Sequence, residues 1–449
     1  MSPIRQIELP EDVKKIIKTI TKAGYEAYAV GGCIRDMVLG RIPGDYDITT
    51  SAKPLQIKEL FSHTIDTGIK HGTVTILLHG VGYEVTTYRI DGEYEDCRHP
   101  KEVIFTSNLI EDLKRRDFTI NAMAYNDEQG LVDPFDGTGD LEKRIIRCVG
   151  DPMERFTEDA LRIMRAVRFS AQLGYEIEAQ TATAIKALAP NLKNISAERI
   201  QTELVKLVTS PHPDYLRIAY ETGITKVILP EFDACMRTNQ NHPHHCYTVG
   251  EHILHSMCEI RADKVLRLAM LFHDIGKPEV ITVDEQGINH FHGHPEVSAA
   301  YAQKIMRRLK FDNKSIYYVT NLVRYHDRRI EATRKSVRRA VNKIGEDIFP
   351  LLFEVHRADI LAQSTYKRQE KLQELNKLKE IYEDIIANRE CVSLKQLAVT
   401  GSDLIREAGI PEGPQVGVKL KELLALVIED PSLNNREYLL SVAGNSANR

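Results

Sequence analysis

The strongest structural signal in this sequence is a double glycine followed about a dozen residues later by two aspartates. From Ala27 to Thr50 short apolar runs alternate with turn residues, which predicts strand, turn, helix, turn and strand. Gly31 and Gly32 separate the first strand from the helix, and a glycine turn before a helix lets backbone N–H groups approach a phosphate closely. The segment therefore predicts a nucleotide site on an α/β unit.

Asp45 and Asp47 supply the chemistry of this segment. We predict that both lie on the second strand, where residues two apart point to the same face. Carboxylates held this close suit Mg²⁺, especially Mg²⁺ that already carries phosphates. Glu84, in the second strand of a hairpin predicted around residues 79–82, is a candidate third carboxylate. An ordinary solvated glutamate explains Glu84 equally well.

Length, composition and net charge limit the number of domains, the location and the partners that we expect. A chain of 449 residues suggests three or four domains, and no apolar run is long enough to cross a bilayer. The N-terminus lacks the apolar core of a signal peptide, and the seven cysteines have no CxxC spacing, so we expect a cytoplasmic protein with reduced thiols and no membrane partner. With a net charge of −4, a nucleic-acid partner requires clustered basic residues, which occur at 162–168, 304–310 and 324–343.

A second polar motif, RRDFTINA, begins at Arg115. Arg116 offers a bidentate fork for a triphosphate, and Asp117 can accept from ribose hydroxyls. Asn121 follows Asp117 by four residues, which predicts that the two share one face of a helix. A charged helix start with a surface ion pair is the alternative for these residues.

A third motif places Asp159, Arg162, Arg165 and Arg168 three residues apart within a predicted helix over 158–169. Three arginines this close repel one another unless an anion or an acidic partner meets them. A salt-bridged helix, in which Glu158 pairs with the arginine four residues later, is the alternative.

These motifs together resemble the signatures of the tRNA nucleotidyltransferase and poly(A) polymerase family, the class II branch of the polymerase-beta-like nucleotidyltransferases. GGxxRD and DYD match its first signature, and RRDFTINA matches its second. The resemblance implies that Gly32 and Arg35 contact the incoming nucleotide and that Asp45 and Asp47 hold the catalytic metals. It also implies that the polar loop over residues 91–100, which contains Arg98, helps the switch from adding C to adding A.

EDxxR resembles the part of this family that selects the base. The resemblance implies that Asp159 and Arg162 read the Watson–Crick edge of C or A, because an aspartate accepts from an exocyclic amino group and an arginine donates two hydrogen bonds in one plane. Arg165 and Arg168 are then expected to bind phosphates. Residues 133–137 resemble the hinge that follows the head, and residues 195–208 resemble the signature that stabilises the neck.

Histidines cluster beyond a linker over residues 238–245. The ordered set resembles the metal ligands of the HD phosphohydrolase superfamily and consists of His252, His273, Asp274 and Asp359. His294 and His326 lie where that superfamily places ligands for a second metal or for the substrate phosphate. Imidazole and carboxylate ligands together suit a divalent transition metal such as Mn, Ni, Co, Fe or Zn. A relic domain that only packs is the alternative.

The resemblances imply an α/β nucleotidyltransferase head, polymerase-beta-like with a small mixed sheet and helices, followed by all-α neck, HD and tail domains. We expect the head over residues 1–140, the neck over 141–235, the HD domain over 236–365 and a tRNA-binding tail over 366–449. The implied activity is addition of CCA to the 3′ end of tRNA from CTP and ATP, with Mg²⁺ at the head. The HD domain is expected to be a metal-dependent phosphoesterase.

Four alternatives remain open at this level. A poly(A) polymerase shares the head and neck, and a uridylyltransferase of a regulatory protein joins a similar head to an HD domain. Relatives that add only CC or only A carry the same head motifs. A non-catalytic tRNA-binding protein is disfavoured by the intact carboxylates. No obligatory protein partner is evident.

Overall fold

A computed structural model describes residues 7–91, 103–241 and 244–445. It divides into two compact units, Met1–Pro230 and Glu231–Arg449. Apart from its first residue, the predicted polar loop with Arg98 lies outside the described residues. None of the described helices is long and apolar enough to cross a membrane.

A seven-stranded mixed sheet forms the centre of the first unit, with strand order β3-β4-β5-β2-β1-β8-β9. The strands of the head are Ala27–Val30 (β1), Asp47–Thr50 (β2), Thr64–Gly68 (β3), Thr73–Leu78 (β4), Val81–Thr87 (β5), Arg89–Asp91 (β6), Val103–Phe105 (β7), Ala124–Asn126 (β8) and Gly130–Val132 (β9). β6 pairs with β7 in a separate ladder. β2 and β5 are parallel, whereas the other neighbours in the large sheet are antiparallel.

The first three helices of this unit pack against strands of the sheet, and later helices pack against one another. They are Glu11–Lys22 (α1), Gly32–Val38 (α2), Pro54–Leu60 (α3), Leu109–Lys114 (α4), Gly137–Lys143 (α5), Pro152–Glu158 (α6), Leu161–Leu173 (α7), Ala179–Leu188 (α8), Ala197–Val208 (α9), Leu216–Glu221 (α10) and Thr225–Ile228 (α11). A short parallel pair, Ile145–Ile146 (β10) with Glu176–Ile177 (β11), lies among them.

Hydrophobic spacing explains the central elements. All four residues of β1 are buried, as expected for a central strand that is covered on both faces. α1 buries a single apolar stripe at the spacing of a helix packed on a core, formed by Val13, Ile16, Ile17 and Ile20. The predicted strand, glycine turn, helix and strand are thereby confirmed.

Two helix predictions in the first unit are wrong in detail. α4 ends at Lys114, so Asp117 and Asn121 do not share an α-helix, and only Thr119–Asn121 forms a 3₁₀ turn. The helix predicted over residues 158–169 is broken, because α6 ends at Glu158 and Asp159 has an extended backbone with φ −139° and ψ 101°. A continuous stripe of Asp159 and arginines therefore does not exist.

The second unit is almost entirely helical. Its helices are Pro230–Arg237 (α12), Val249–Cys258 (α13), Lys264–Phe272 (α14), His294–Arg308 (α15), Asn313–Tyr325 (α16), Arg334–Ile344 (α17), Phe349–Ala362 (α18), Arg368–Ala387 (α19), Gly401–Glu407 (α20), Pro414–Glu429 (α21) and Arg436–Asn445 (α22). One small hairpin joins Thr282–Val283 (β12) to Asn289–His290 (β13). A mixed-sheet head followed by helical regions confirms the predicted fold class.

The basic run over residues 324–343 is one of the three clusters that a nucleic-acid partner would require. Four of its cations on α17 instead pair with acids of α19, α21 and the segment between them: Arg334 with Asp384 and Glu390, Arg338 with Glu390, and Lys335 and Arg339 with Glu429. Arg338 is buried and also donates to the carbonyls of Ile428 and Glu429. These pairs hold helices of the second unit together, so this part of the run is structural.

Candidate functional site

Strand register brings two of the three predicted catalytic carboxylates together. In the parallel pair of β2 and β5, Asp47 lies opposite Glu84. Residues that face each other in neighbouring strands project from the same face of the sheet. Asp45 precedes β2, so the prediction that both aspartates lie on the strand is wrong. Asp45 is nevertheless near enough for its charge to act on Asp47.

The electrostatics of Asp47 reflect this crowding. Enclosure by neighbouring protein atoms raises the pKa of Asp47, and the like charges of Asp45 and Glu84 raise it further. Arg116 acts in the opposite direction. Asp47 remains solvent exposed at the start of its strand. Carboxylates that disfavour one another's ionisation create a demand for a cation.

The side chain of Arg116 passes close to the backbone of the glycine turn. Gly31 has φ +83°, in the left-handed region that favours glycine, and a Cβ there would lie 3.0 Å from Arg116 Nη1. Gly32 begins α2, and a Cβ there would lie 3.7 Å from Arg35 Nη2, an ordinary contact distance. The turn thus lets an arginine of the second motif pass close to the backbone between β1 and α2.

Asp117 joins residues from three segments of the first unit. Its Oδ2 lies 2.6 Å from Nε and Nη2 of Arg165, and its Oδ1 accepts from Asn121 Nδ2 at 3.2 Å. Arg35 Nη1 donates to Asn121 Oδ1 at 2.7 Å. Burial opposes ionisation of Asp117, but Arg165 and Asn121 outweigh it and lower its pKa to about 2. The structure therefore brings these four predicted residues together without the helical face that we expected.

Asp159 and Arg162 lie on either side of the break between α6 and α7. Asp159 is held by both terminal nitrogens of Arg199, at 2.7 and 3.2 Å. Arg162 Nη1 donates to Glu158 Oε2 at 2.7 Å, as the alternative interpretation predicted, and its Nη2 donates to the carbonyl of Arg115 at 3.0 Å. Each residue is thus held in place by other protein groups.

The placement of Arg168 contradicts the prediction that it binds phosphate. Its side chain is 7% exposed, and its Nε donates to Glu203 Oε2 at 2.7 Å. Its Nη1 donates to Gln172, and its guanidinium lies 3.6 Å from the ring centre of Phe169. A buried arginine that is paired with a buried carboxylate is not available to an external phosphate, so Arg168 is structural.

The predicted histidine and aspartate ligands converge in the second unit. His252 comes from α13, His273 and Asp274 follow α14, His294 begins α15, His326 follows α16, and Asp359 lies on α18. His252 Nε2 lies 2.8 Å from Asp359 Oδ1 and 3.1 Å from His273 Nε2. His294 Nε2 lies 3.2 Å from His326 Nε2. Five helices or their ends thus build one buried cluster.

Backbone carbonyls orient the histidine rings of this cluster. The Nδ1 atoms of His273, His294 and His326 lie 2.7 to 2.8 Å from the carbonyl oxygens of Met270, Phe291 and Val323. A carbonyl accepts only from a protonated nitrogen, which leaves Nε2 as the position for a lone pair. In the neutral rings these Nε2 lone pairs converge, and a metal ion that takes the place of the second proton would satisfy them.

Asp274 stands between two groups of histidines. Its Oδ2 lies 3.3 Å from His273 Nε2, whereas its Oδ1 lies 3.3 Å from His294 Nε2 and 3.5 Å from His326 Nε2. Neither oxygen receives a hydrogen bond of good geometry from the described residues, although Lys277 Nζ lies 2.7 Å from Oδ2. Two groups of residues could therefore hold a divalent ion, His252 with His273 and Asp274, and Asp274 with His294 and His326.

The charges of this cluster are strongly coupled. Burial opposes protonation of His273, but Asp274 and Asp359 outweigh it and raise its pKa to about 10. Burial likewise opposes ionisation of Asp274, but His273 and Lys277 hold its pKa well below the usual value. The cluster is therefore a buried site in which negative and positive groups balance one another.

Outer contacts fix Asp359. Gln363 Nε2 donates to Asp359 Oδ2 at 2.8 Å, so Oδ1 alone faces the histidines. Lys371 Nζ donates to Gln363 Oε1 at 2.6 Å and thereby sets the orientation of the amide. Ligating carboxylates in metal sites are commonly hydrogen-bonded in this way.

Sequence reasoning missed several partners of the predicted residues. Asp112 precedes Arg115 and Arg116 by three and four residues, and Gln363 follows Asp359 by four, so helical spacing offered a signal for both. Arg199 lies 40 residues from Asp159, and no local sequence pattern predicts a pair so far apart.

Three family models match the chain. One described as the poly(A) polymerase head domain matches residues 27–147, one described as the probable RNA and SrmB-binding site of polymerase A matches 174–236, and one described as putative tRNA nucleotidyltransferase domain 2 matches 281–443. Among solved structures, a CCA-adding enzyme of Bacillus stearothermophilus in complex with CTP is 30% identical, with a TM-score of 0.73 over 98% of both chains. A Thermotoga maritima CCA-adding enzyme complexed with tRNA is 20% identical, with a TM-score of 0.56 over 98% of this chain and 96% of that one, and supports the fold alone.

Curated relatives extend the similarity. The CCA-adding enzyme of Levilactobacillus brevis is 54% identical over 208 residues, which are 46% of this chain and 52% of the relative. The chain thus spans about half the length of this relative and of several similar ones. The CCA-adding enzyme of Ligilactobacillus salivarius is 34% identical over 443 residues, 97% of each chain. On this similarity across nearly the whole length, the chain belongs to the family of CCA-adding enzymes.

Proposed function

We propose that this protein adds CCA to the 3′ end of tRNA, using CTP and ATP and releasing pyrophosphate. The register that places Glu84 opposite Asp47, with Asp45 close by and Arg116 acting on the same carboxylate, carries this proposal. Membership of the CCA-adding enzyme family supports it. A group of acids beside an arginine and a glycine turn suits a nucleoside triphosphate and its ions.

The acids would hold divalent ions, which we propose are Mg²⁺. Asp45 and Asp47 would be the main ligands, and Glu84 would be a third. When bound, such ions activate a hydroxyl nucleophile and stabilise the departing pyrophosphate. The protein's own contribution is to hold the carboxylates on one side of the sheet and to keep Arg116 beside them.

The remaining residues of the first unit would bind and select the nucleotide. We propose that Gly32, Arg35 and Arg116 contact the nucleotide and its triphosphate, and that Asp117 with Asn121 binds the ribose. Asp117 suits this role because its low pKa keeps it ionised as an acceptor. Arg165 completes the network by holding one of the two carboxylate oxygens.

Asp159 and Arg162 remain our candidates for base selection. The pair with Arg199 sets the orientation of Asp159. Its Oδ1 also accepts from the backbone N–H of Leu161, so Oδ2 is the oxygen that keeps a second lone pair for an amino group of C or A. Arg162 would have to exchange its contacts with Glu158 or with the Arg115 carbonyl in order to reach a base. U and G present the opposite pattern and would leave buried groups unpaired, which is costly.

The test is nucleotide incorporation with purified protein. Two tRNA transcripts, one lacking CCA and one ending in CC, are incubated with each labelled NTP in turn. We expect C on the first transcript, A on the second, and no incorporation of U or G. Repeated A on either transcript would identify a poly(A) polymerase, labelling of a protein by UTP would identify a uridylyltransferase, and C alone or A alone would identify a partial enzyme.

We further propose that the histidine and aspartate cluster is an HD-type metal site with phosphoesterase activity. The carbonyl-oriented rings of His273, His294 and His326, whose Nε2 atoms face Asp274, carry this proposal. His252 and Asp359 complete the donor set, which suits Mn, Ni, Co, Fe or Zn. Ions held by these residues would activate a water molecule as nucleophile and polarise a phosphoryl oxygen.

The phosphoesterase is tested with bis-p-nitrophenyl phosphate and 2′,3′-cyclic AMP, with Mn²⁺, Ni²⁺, Co²⁺ or Mg²⁺ supplied in turn. His273→Ala is expected to abolish hydrolysis and tight metal binding, measured by calorimetry, while CCA addition persists. Ser256→Ala, at another buried position of the second unit, is the matched control. No hydrolysis with any metal, in a preparation that adds CCA, would make the cluster a scaffold.

The domain limits also remain proposals. We place the head over residues 1–140, the neck over 141–235, the HD domain over 236–365 and a tRNA-binding tail over 366–449. The family model for the head ends near the first of these boundaries, and the two compact units meet near the second. tRNA is the proposed macromolecular partner, and the cytoplasm is the proposed location.

A further inference from the structure

Asp112 is a buried carboxylate that the proposed mechanism does not use. It lies on α4 and is 0% exposed. Its Oδ1 accepts from Arg115 Nε at 2.9 Å and from the backbone N–H of Arg89 at 3.3 Å. Its Oδ2 accepts from Thr49 Oγ1 at 3.1 Å and lies 3.5 Å from Arg116 Nη2. Burying a charge is costly unless partners compensate it, and the partners of Asp112 all come from the head.

Arg116 lies between Asp112 and the proposed metal ligands. Its side chain is 19% exposed, and in the described part of the chain Asp112 is the only acid that forms an ion pair with it. Its Nη1 passes Gly31, and its charge lowers the pKa of Asp47. Its Nε is buried without a hydrogen-bond partner among the described residues. The guanidinium is therefore anchored by Asp112 and lies near enough to Asp47 for its charge to act there.

Thr49 links this anchor to the metal-binding strand. It lies on β2 two residues after Asp47, and its hydroxyl donates to the oxygen of Asp112 that faces Arg116. The carboxylate thus has a fixed orientation relative to the strand that carries Asp47. An arginine held in advance loses less conformational entropy when a ligand binds than a free one does.

We propose that Asp112 is a positioning residue, which holds Arg116 beside the catalytic acids so that it meets the triphosphate of the incoming nucleotide. This inference rests on the proposed function, in which Arg116 binds that triphosphate. Because CTP and ATP share the triphosphate, loss of the anchor affects both nucleotides equally. Base selection and tRNA binding do not depend on it.

The test begins with Asp112→Asn, which keeps the shape of the side chain and removes its charge. We expect KM for CTP and for ATP to rise at least about tenfold, the effect of losing one charged partner, with kcat, the CTP-to-ATP ratio and KM for tRNA nearly unchanged. Asp140→Asn is the matched control, because Asp140 is also buried and pairs with Arg147 at 3.1 Å. It should lower stability and leave both KM values unchanged.

A double-mutant cycle with Arg116→Ala separates positioning from general destabilisation. If Asp112 acts through Arg116, adding Asp112→Asn to Arg116→Ala raises KM no further. Full additivity, or an unchanged KM in Asp112→Asn while Arg116→Ala raises it, would overturn the inference. An unchanged KM in Arg116→Ala would instead refute the triphosphate role of Arg116, and the inference with it.

Thr49→Val keeps the inference testable if Asp112→Asn does not fold. This variant removes the hydroxyl that orients Asp112 and keeps the shape of the side chain. We expect KM for both nucleotides to rise about threefold, consistent with the loss of one hydrogen bond. An unchanged KM for both nucleotides would contradict the proposed anchor.

Discussion

Replacing Arg168 with methionine distinguishes a structural arginine from a phosphate ligand. Arg168 and Glu203 are 7% and 5% exposed and form an ion pair at 2.7 Å. Arg168→Met leaves Glu203 buried without its charged partner, and breaking one half of a buried pair costs about 3–5 kcal/mol. Almost no solvent reaches either group, so screening does not reduce this cost much.

The magnitude converts into a measurable change in melting temperature. For a unit the size of Met1–Pro230, each kcal/mol lowers Tm by about 2–4 °C, so the variant should melt roughly 6–20 °C below the parent protein. The chain contains no tryptophan, so circular dichroism or tyrosine fluorescence is the appropriate probe. The double variant Arg168→Met with Glu203→Leu should recover much of the loss, because it removes the orphaned charge. KM for CTP, measured on folded protein, should not change.

A phosphate role for Arg168 predicts the opposite pattern. If Arg168→Met lowered stability by less than about 1 kcal/mol and raised KM for both CTP and ATP, the buried pair would not be the main role of this arginine. Recovery of stability in the double variant, with KM still unchanged, would confirm that the pair supports only the fold. Gln172→Leu serves as a control for the weaker contact of the same guanidinium.

Three further predictions concern the first unit. Asp47→Asn should lower kcat for addition of both C and A by about 10³-fold or more, with tRNA binding retained in a filter assay; full activity would remove Asp47 from the mechanism. Asp159→Ala should reduce the preference for CTP over UTP by about 10- to 100-fold in kcat/KM, whereas an equal loss for all nucleotides would make Asp159 structural. Asp117, with a folded pKa of about 2 against an ordinary value of 3.8, contributes stability that is present above pH 4 and is lost as pH falls toward 2, roughly 2.5 kcal/mol in total. Asp117→Asn should flatten that part of a stability-versus-pH curve, and an unchanged slope would contradict the assignment.

Local patterns identified the elements and residue types of this protein. The apolar run of β1, the glycine turn and the helical stripe of α1 follow from spacing and turn chemistry, which act over a few residues. The motifs around Asp47, Asp117 and Asp159 predicted residues that lie close to one another or to charged side chains. The set from His252 to Asp359 was likewise identified from its order along the chain.

Other features depended on contacts between distant segments. The sequence did not predict the break in the helix at Asp159. Glu158 and Arg162 keep helical spacing across the break and still form their ion pair. The role of Arg168 depended on Glu203, which lies 35 residues later on α9. Both outcomes follow from packing against other helices, and the local sequence does not encode such packing.

The strand, glycine turn and helix, the carboxylates and arginines, and the ordered histidines can be read from the sequence, because each is a property of neighbouring residues. Which of these charges can meet a ligand follows from contacts between distant segments. The parallel pairing of β2 with β5 brought Glu84 to Asp47, and burial paired Arg168 with Glu203. A charge removed from water must be neutralised by whatever group the fold places beside it, so its availability depends on burial and on its partner across the fold.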